Sequence, residues 1–157
     1  MTIQLYLFGP PRLAKVGVPL PLNHRKAWAL LAYLAVTMQP HSRDSLATLL
    51  WSDYGQSEAR GHLRRELARL RDLLGAAPFV TDREQIALVA PPADPHPLQV
   101  DVTTFLHLNA QAAVCTHAPT IACHICLPHL VQAAAVYTDH FLAGFTLPDS
   151  PAFDEWC

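Results

Sequence analysis

The chain has 157 residues, enough for one well-packed core or for two small ones that share an interface. With 51% hydrophobic and 15% charged residues it is far from a disordered composition, and no apolar run is long enough to cross a bilayer. The formal net charge of −2 hides an asymmetry, because all eleven Lys and Arg lie between Arg12 and Arg83. Residues up to Pro92 therefore carry +4 and the remainder −6, the pattern of a basic module that can meet phosphates joined to an acidic one that cannot. Evenly solvated surface charge is the plainer alternative. The opening residues Met-Thr-Ile-Gln-Leu have neither a basic leader nor an apolar signal core, so a cytoplasmic location is expected.

In chain order, Ile3 to Phe8, Arg12 to Val16 and Val18 to Leu22 read as three short strands separated by Gly and Pro turns. Asn23 then caps a helix whose Ala27, Leu30, Leu31 and Leu34 recur at helical spacing, and Pro40 follows its end. Ser42 caps a short second helix with Leu46, Leu49 and Leu50 on its core side, closing at Trp51. Ser57 is expected to cap the longest helix of this half, which carries Leu63, Leu67, Leu70 and Leu74 in one line and Gly75 as terminator. Phe79 to Val89 reads as a hairpin around the polar tip Thr81 to Gln85.

Four prolines between Ala90 and Pro97 mark the expected boundary, giving domains at 1–92 and 98–157. Beyond it, helices are predicted over about 102–114 and 127–142, with Gly144 ending the second and Ser150-Pro151 starting a third. That third helix is met only at its start before Cys157, so a piece of a longer regulator is expected.

This order of elements resembles an OmpR-type winged helix. The stretches Leu5-Tyr-Leu-Phe-Gly-Pro-Pro-Arg, Arg25-Lys-Ala-Trp-Ala-Leu-Leu-Ala-Tyr-Leu-Ala, His41-Ser-Arg-Asp-Ser-Leu-Ala-Thr-Leu-Leu-Trp and Leu63-Arg-Arg-Glu-Leu-Ala-Arg-Leu-Arg resemble the SARP (antibiotic-regulatory-protein) activators. Tyr137 to Trp156 is similar to their bacterial transcriptional activator domain, a tetratricopeptide-like helical module. The resemblance implies an α+β winged helix-turn-helix followed by a truncated all-α, TPR-like domain. It further implies sequence-specific binding to double-stranded DNA, with RNA polymerase subunits or a second protomer on DNA as protein partners and no membrane.

On the long helix, about 100° per residue places His62, Arg65 and Arg69 opposite the leucine line, with Arg60, Arg64 and Arg71 flanking. Such a helix can lie in the major groove, where guanidinium groups read guanine edges or grip phosphate. An exposed helix using Arg only for local ion pairs is the alternative. Arg83 at the hairpin tip would touch the minor groove or its phosphates, and Ser42 and Arg43 open a helix N-terminus able to meet phosphate, although capping alone also accounts for Ser42. His62 stands where similar SARP sequences are expected to carry Asn, so its role is open.

A second constellation is Cys115-Thr-His117 followed by Cys123-His-Ile-Cys126. Together these offer a tetrahedral Cys3His structural zinc site, with His124 or His129 as alternative ligands. Reduced, unliganded cysteines and a Cys123–Cys126 disulfide are the competing readings. Gly-rich phosphate loops, a G-x-S-x-G elbow and an H-E-x-x-H pair are absent, so an enzyme is not expected. The competing function is a protein-interaction or metal-responsive regulatory module without sequence-specific DNA binding.

Overall fold

The computed structural model describes residues 2–89, 97–118 and 120–157, so the proline run expected to separate two domains lies almost wholly outside the described residues. The fold is mixed α and β. Its first half begins with an antiparallel meander, β1 (Ile3–Tyr6), β2 (Arg12–Lys15) and β3 (Val18–Pro19). Ile3 and Leu5 point inward from β1 and are almost fully buried, while Gln4 and Tyr6 alternate outward as the strand period requires.

Helix α1 (Arg25–Thr37) is the centre of the core. Ala27, Ala29, Leu30, Leu31, Ala32, Leu34 and Ala35 are all inaccessible, and the alanines let neighbouring elements approach it on several sides. Its N-cap is His24 and not the expected Asn23, and no side chain caps it; the entry is held instead by Trp28 Nε1, which donates to the Leu22 carbonyl at 2.7 Å. Met38 closes the helix in the left-handed region.

Strand β4 (His41–Ser42) leads directly into α2 (Arg43–Leu50). Ser42 Oγ accepts the Ser45 backbone N–H at 3.0 Å, the N-cap that the sequence predicts. The long helix α3 (Gln56–Leu74) starts two residues earlier than a Ser57 cap would allow, with Gly55 at the N-cap. Ala59, Leu63, Leu67, Leu70 and Leu74 form its buried line against α1 and α2. Gly75 then turns the chain at φ 81°, a backbone state that a β-carbon would strain. Strands β5 (Phe79–Thr81) and β6 (Gln85–Leu88) form the predicted hairpin, and β4 adds to its other edge to give a sheet of order β4-β6-β5.

The second half enters through a strand that the sequence reading does not contain. Strand β7 (Leu98–Val100) pairs in parallel with β1, matching Ile3 to Leu98 and Leu5 to Val100, and completes a sheet of order β3-β2-β1-β7. Helix α4 (Asp101–Ala112) follows at once. The Asp101 carboxylate accepts the backbone N–H groups of Leu7 at 2.9 Å and Phe8 at 3.0 Å, tying the end of β1 to the helix start. Helices α4 and α5 (Leu127–Val136) pack against each other as a hairpin.

Helix α5 ends at Val136, six residues before the predicted limit at Leu142. The chain leaves it to pair with the first half. Gly9 N donates to the His140 carbonyl and Leu142 N to the Leu7 carbonyl, both at 2.8 Å, and Phe141 forms a β-bridge with Phe8. Helix α6 (Pro151–Trp156) starts at the predicted Ser150-Pro151, but Ser150 makes no side-chain cap; its hydroxyl is buried and donates to the Leu50 carbonyl at 2.7 Å. Lys26 Nζ reaches Asp149 at 3.1 Å, so α1, α2 and the approach to α6 share one polar junction. Phe153 is fully buried at this junction and stands 5.5 Å from the Trp156 ring.

Candidate nucleic-acid interface and metal centre

The buried leucine line fixes how α3 is rotated, and Arg60, Arg64, Arg65 and Arg69 consequently stand exposed along its outer side. Arg71 is half-buried and bonds Thr81 Oγ1 on the hairpin. Two of the exposed groups are held by acids. Arg60 grips Asp44 with both Nε and Nη2 of its guanidinium, the second at 2.6 Å, and this contact holds the Asp44 carboxyl below its ordinary range. Arg69 pairs with Glu66 on its own helix. Arg64 and Arg83 have no ion-pair partner among the described residues.

Arg43 joins α2 to the hairpin turn. Its guanidinium donates to the Asp82 carbonyl at 3.1 and 2.8 Å, and its backbone N–H donates to the Glu84 carbonyl at 2.8 Å. Asp82 in turn accepts the N–H groups of Glu84 and Gln85 at 2.7 and 2.6 Å, an Asx-type turn that fixes the tip carrying Arg83 and depresses the Asp82 pKa. Arg43, Arg60, Arg64 and Arg83 thereby line one open groove between α3 and the hairpin, with Leu63 at its floor and Asp82 on its rim. Partial burial lowers the Arg43 pKa, and the neighbouring Arg71, Arg64 and Arg60 charges push it down further. The groove is a site of like-charge crowding that a polyanion relieves.

Ser42 is occupied as an N-cap. His62 does not simply face outward opposite the leucines. Its ring stacks on buried Trp51 at 5.9 Å with an interplanar angle of 11° and meets Tyr54 edge-on at 4.7 Å, while its Nδ1 lies 2.7 Å from the Arg65 guanidinium. Thus His62 is half-buried and meets the guanidinium end of Arg65. Sequence reasoning had no signal for Asp44, Asp82, Trp51 or Tyr54 in this region, because each meets its arginine or histidine through tertiary packing between separate segments.

The second site lies where α4 and α5 are joined. Cys115, His117, Cys123 and Cys126 bring one ligand atom each within 4.8 Å of all the others, the set that the sequence spacing singled out. Cys115 Sγ and Cys123 Sγ are 3.5 Å apart, and His117 Nε2 is 3.2 Å from Cys126 Sγ. A tetrahedral ion with bonds of about 2.0–2.3 Å needs ligand–ligand edges of roughly 3.3–3.8 Å, so the cluster needs little movement to hold a metal. Backbone N–H groups of Cys126 and Ile125 stabilise the Cys123 thiolate and bring its pKa down to about 6. A hydrogen bond with Cys123 pushes the Cys115 thiol up to about 11, so one thiolate and one thiol share the metal-free pair. His117 is raised to about 9, first by its bond to the Ala118 carbonyl and then by Cys126. His124 and His129 stand outside the cluster, and all four cysteines of the chain are free thiols. These four residues can hold a metal ion.

No helix among the described residues is long and apolar enough to cross a membrane. No family model matches the chain, and no curated protein does. Among solved structures the chain is similar to Mycobacterium tuberculosis EmbR, determined in complex with a low-affinity phosphopeptide, with a TM-score of 0.71 and 23% identity. The match covers 98% of this chain but 40% of that one, so the chain spans about two-fifths of the length of the protein it matches. What the two share at this identity is the fold, which is alike over almost the whole of this chain.

Proposed function

We propose that the chain is the DNA-binding part of a SARP-type transcriptional activator, with α3 as recognition helix, the β5–β6 hairpin as wing and the second half as the start of a TPR-like module for protein partners such as RNA polymerase subunits. The observation that carries this reading is the groove in which Arg43, Arg60, Arg64 and Arg83 converge from three separate segments. Phosphates along a duplex match such a row, while Arg65 and Arg69 further along α3 supply planar donors for base edges. The SARP-like fold shared with EmbR supports the assignment, as does the concentration of all Lys and Arg in the first half.

Salt dependence tests the reading. Fluorescence anisotropy on random duplex DNA should show log affinity falling linearly with log salt, and a sequence selected from a random pool should bind above that background. Affinity for acidic protein or heparin equal to that for every duplex would replace DNA recognition with a general polyanion or protein-interaction role.

The Cys3His cluster is proposed to hold a structural zinc that fixes the α4–α5 junction. The donor set of three sulfurs and one imidazole suits zinc, and four protein ligands leave no open position for substrate. Elemental analysis of protein purified without chelator should give about one zinc per chain. Loss of Cys126, the buried ligand, should release it.

A further inference from the structure

The four metal-centre residues differ in how far solvent reaches them. Cys126 is 1% exposed, whereas Cys115, His117 and Cys123 are half-buried beside the exposed loop positions Thr116, Ala118 and Ala122. The Cys126 sulfur is also engaged, accepting the Cys123 backbone N–H at 3.2 Å and lying 3.2 Å from His117 Nε2. The two sulfurs that a small solute can reach, those of Cys115 and Cys123, stand 3.5 Å apart. That spacing suits two thiolates on one zinc ion, and it is also within about 1.5 Å of a disulfide bond length. Cys115 N donates to the Ala112 carbonyl at 3.3 Å as the chain leaves α4, and the Cys123 carbonyl accepts the Leu127 N–H at 2.9 Å as it enters α5. The pair therefore spans the exit of one helix and the entry of the next, the same point that a metal would fasten.

We propose that Cys115 and Cys123 form a site of reversible oxidation, closing to a disulfide with hydrogen peroxide as oxidant and releasing the ion held by the cluster. One sulfur, as thiolate, attacks a peroxide oxygen; the O–O bond breaks and the other oxygen leaves as hydroxide, which is protonated to water. The second sulfur attacks the resulting sulfenic acid; the S–O bond breaks and that oxygen leaves as a second water. Two thiols thus give up two electrons, and one peroxide becomes two waters. Capture by a sulfur already 3.5 Å away outruns further oxidation to sulfinic acid. His117 and Cys126 then remain as the only donors, too few for a structural site, while the new bond keeps the α4–α5 junction closed. Metal release rests on the zinc reading above, whereas the disulfide rests on the sulfur geometry alone.

The test uses the full chain carrying Cys157→Ser, which removes the exposed fourth thiol and leaves three. Zinc-supplemented protein is treated with hydrogen peroxide, its thiols are counted by maleimide addition and intact mass, and freed zinc is read with a chromogenic chelator. At the single-chain mass, adducts should fall from three to one with the loss of two hydrogens. About one zinc per chain should appear, and dithiothreitol with added zinc should reverse both changes. Far-ultraviolet circular dichroism should stay at its untreated value, because the disulfide replaces the ion at the same junction. Adding Cys126→Ser keeps the pair, so two thiols should still be lost, whereas adding Cys115→Ser should abolish the disulfide. The proposal is overturned if all three thiols persist, if sulfinic acid forms in place of the disulfide, or if the Cys115→Ser chain loses two thiols, which would make Cys123 and Cys126 the pair. Zinc that stays bound after the disulfide has closed overturns the release step. A chain that is metal-free before treatment yet closes the disulfide removes the zinc reading and supports the pair.

Discussion

Arg65 and Arg69 sit one turn apart on the outer side of α3, yet each is held differently. Arg69 is already paired with Glu66, whereas Arg65 rests against a histidine that is itself stacked on a buried tryptophan. Replacing either by Ala removes no core atom, so the domain should remain folded while specific DNA affinity falls by roughly 1–3 kcal/mol if the side chain meets a base. A gel-shift titration of the Arg65→Ala/Arg69→Ala double variant that shows full specific binding would remove α3 from the role of recognition helix. Arg83 has a different task at the hairpin tip. Its substitution by Ala should weaken specific and random DNA about equally and lower the salt slope by about one, measured over a salt series on both duplexes. Preferential loss on one sequence would make Arg83 a reader of bases or groove shape. The identity of these arginines was legible in the sequence because a leucine line at helical spacing dictates the opposite face. The partners of Arg43 and Arg60 were not, since Asp82 and Asp44 reach them only through the packing of α2 against the hairpin and α3.

At the scale of elements, periodicity, composition and turn residues together located the helices and the hairpin of the described residues, and they failed where backbone groups found distant partners. Helix α5 has residues able to continue past Val136, but Thr138 Oγ1 donates to the Phe8 carbonyl and Leu142 N to the Leu7 carbonyl, and those bonds draw the chain out of the helix. Strand β7 went unseen for a similar reason: three residues carry too little pattern, and a parallel partner more than ninety positions away leaves no local signal. The metal cluster was legible because its ligands are close in sequence. The hairpin turn offers a pH test. Asp82 has its pKa depressed in the folded state by the N–H groups of Gln85 and Glu84, so its contribution is present above the ordinary carboxylate pKa and is lost as pH falls through the depressed value. Asp82→Ala should therefore melt below wild type at neutral pH, and the gap between the two thermal midpoints should close in acid. A gap that persists unchanged at low pH would mean that the ionised carboxylate does not fix the tip.

Across the whole molecule the two halves are joined by backbone as much as by side chains. The Asp101 carboxylate serves the N–H groups of both Leu7 and Phe8, and Asp101→Ala leaves those donors without it. The expected cost is about 2–4 kcal/mol, measured as a lower urea midpoint, with Asp101→Asn recovering part of it because its amide oxygen still accepts. Two separate urea transitions in the wild type, with only the later half affected, would show that Asp101 does not couple them. The parallel strand Leu98–Val100 has a practical consequence for anyone dividing the protein. A fragment cut at the proline run would leave the edge of Ile3–Leu5 bare, with its hydrogen-bonding groups open to the next molecule, so it should precipitate or form mixed aggregates. Carrying the expressed fragment through Val102 keeps that edge covered, and blunting it with a lysine at Gln4 should rescue the shorter piece.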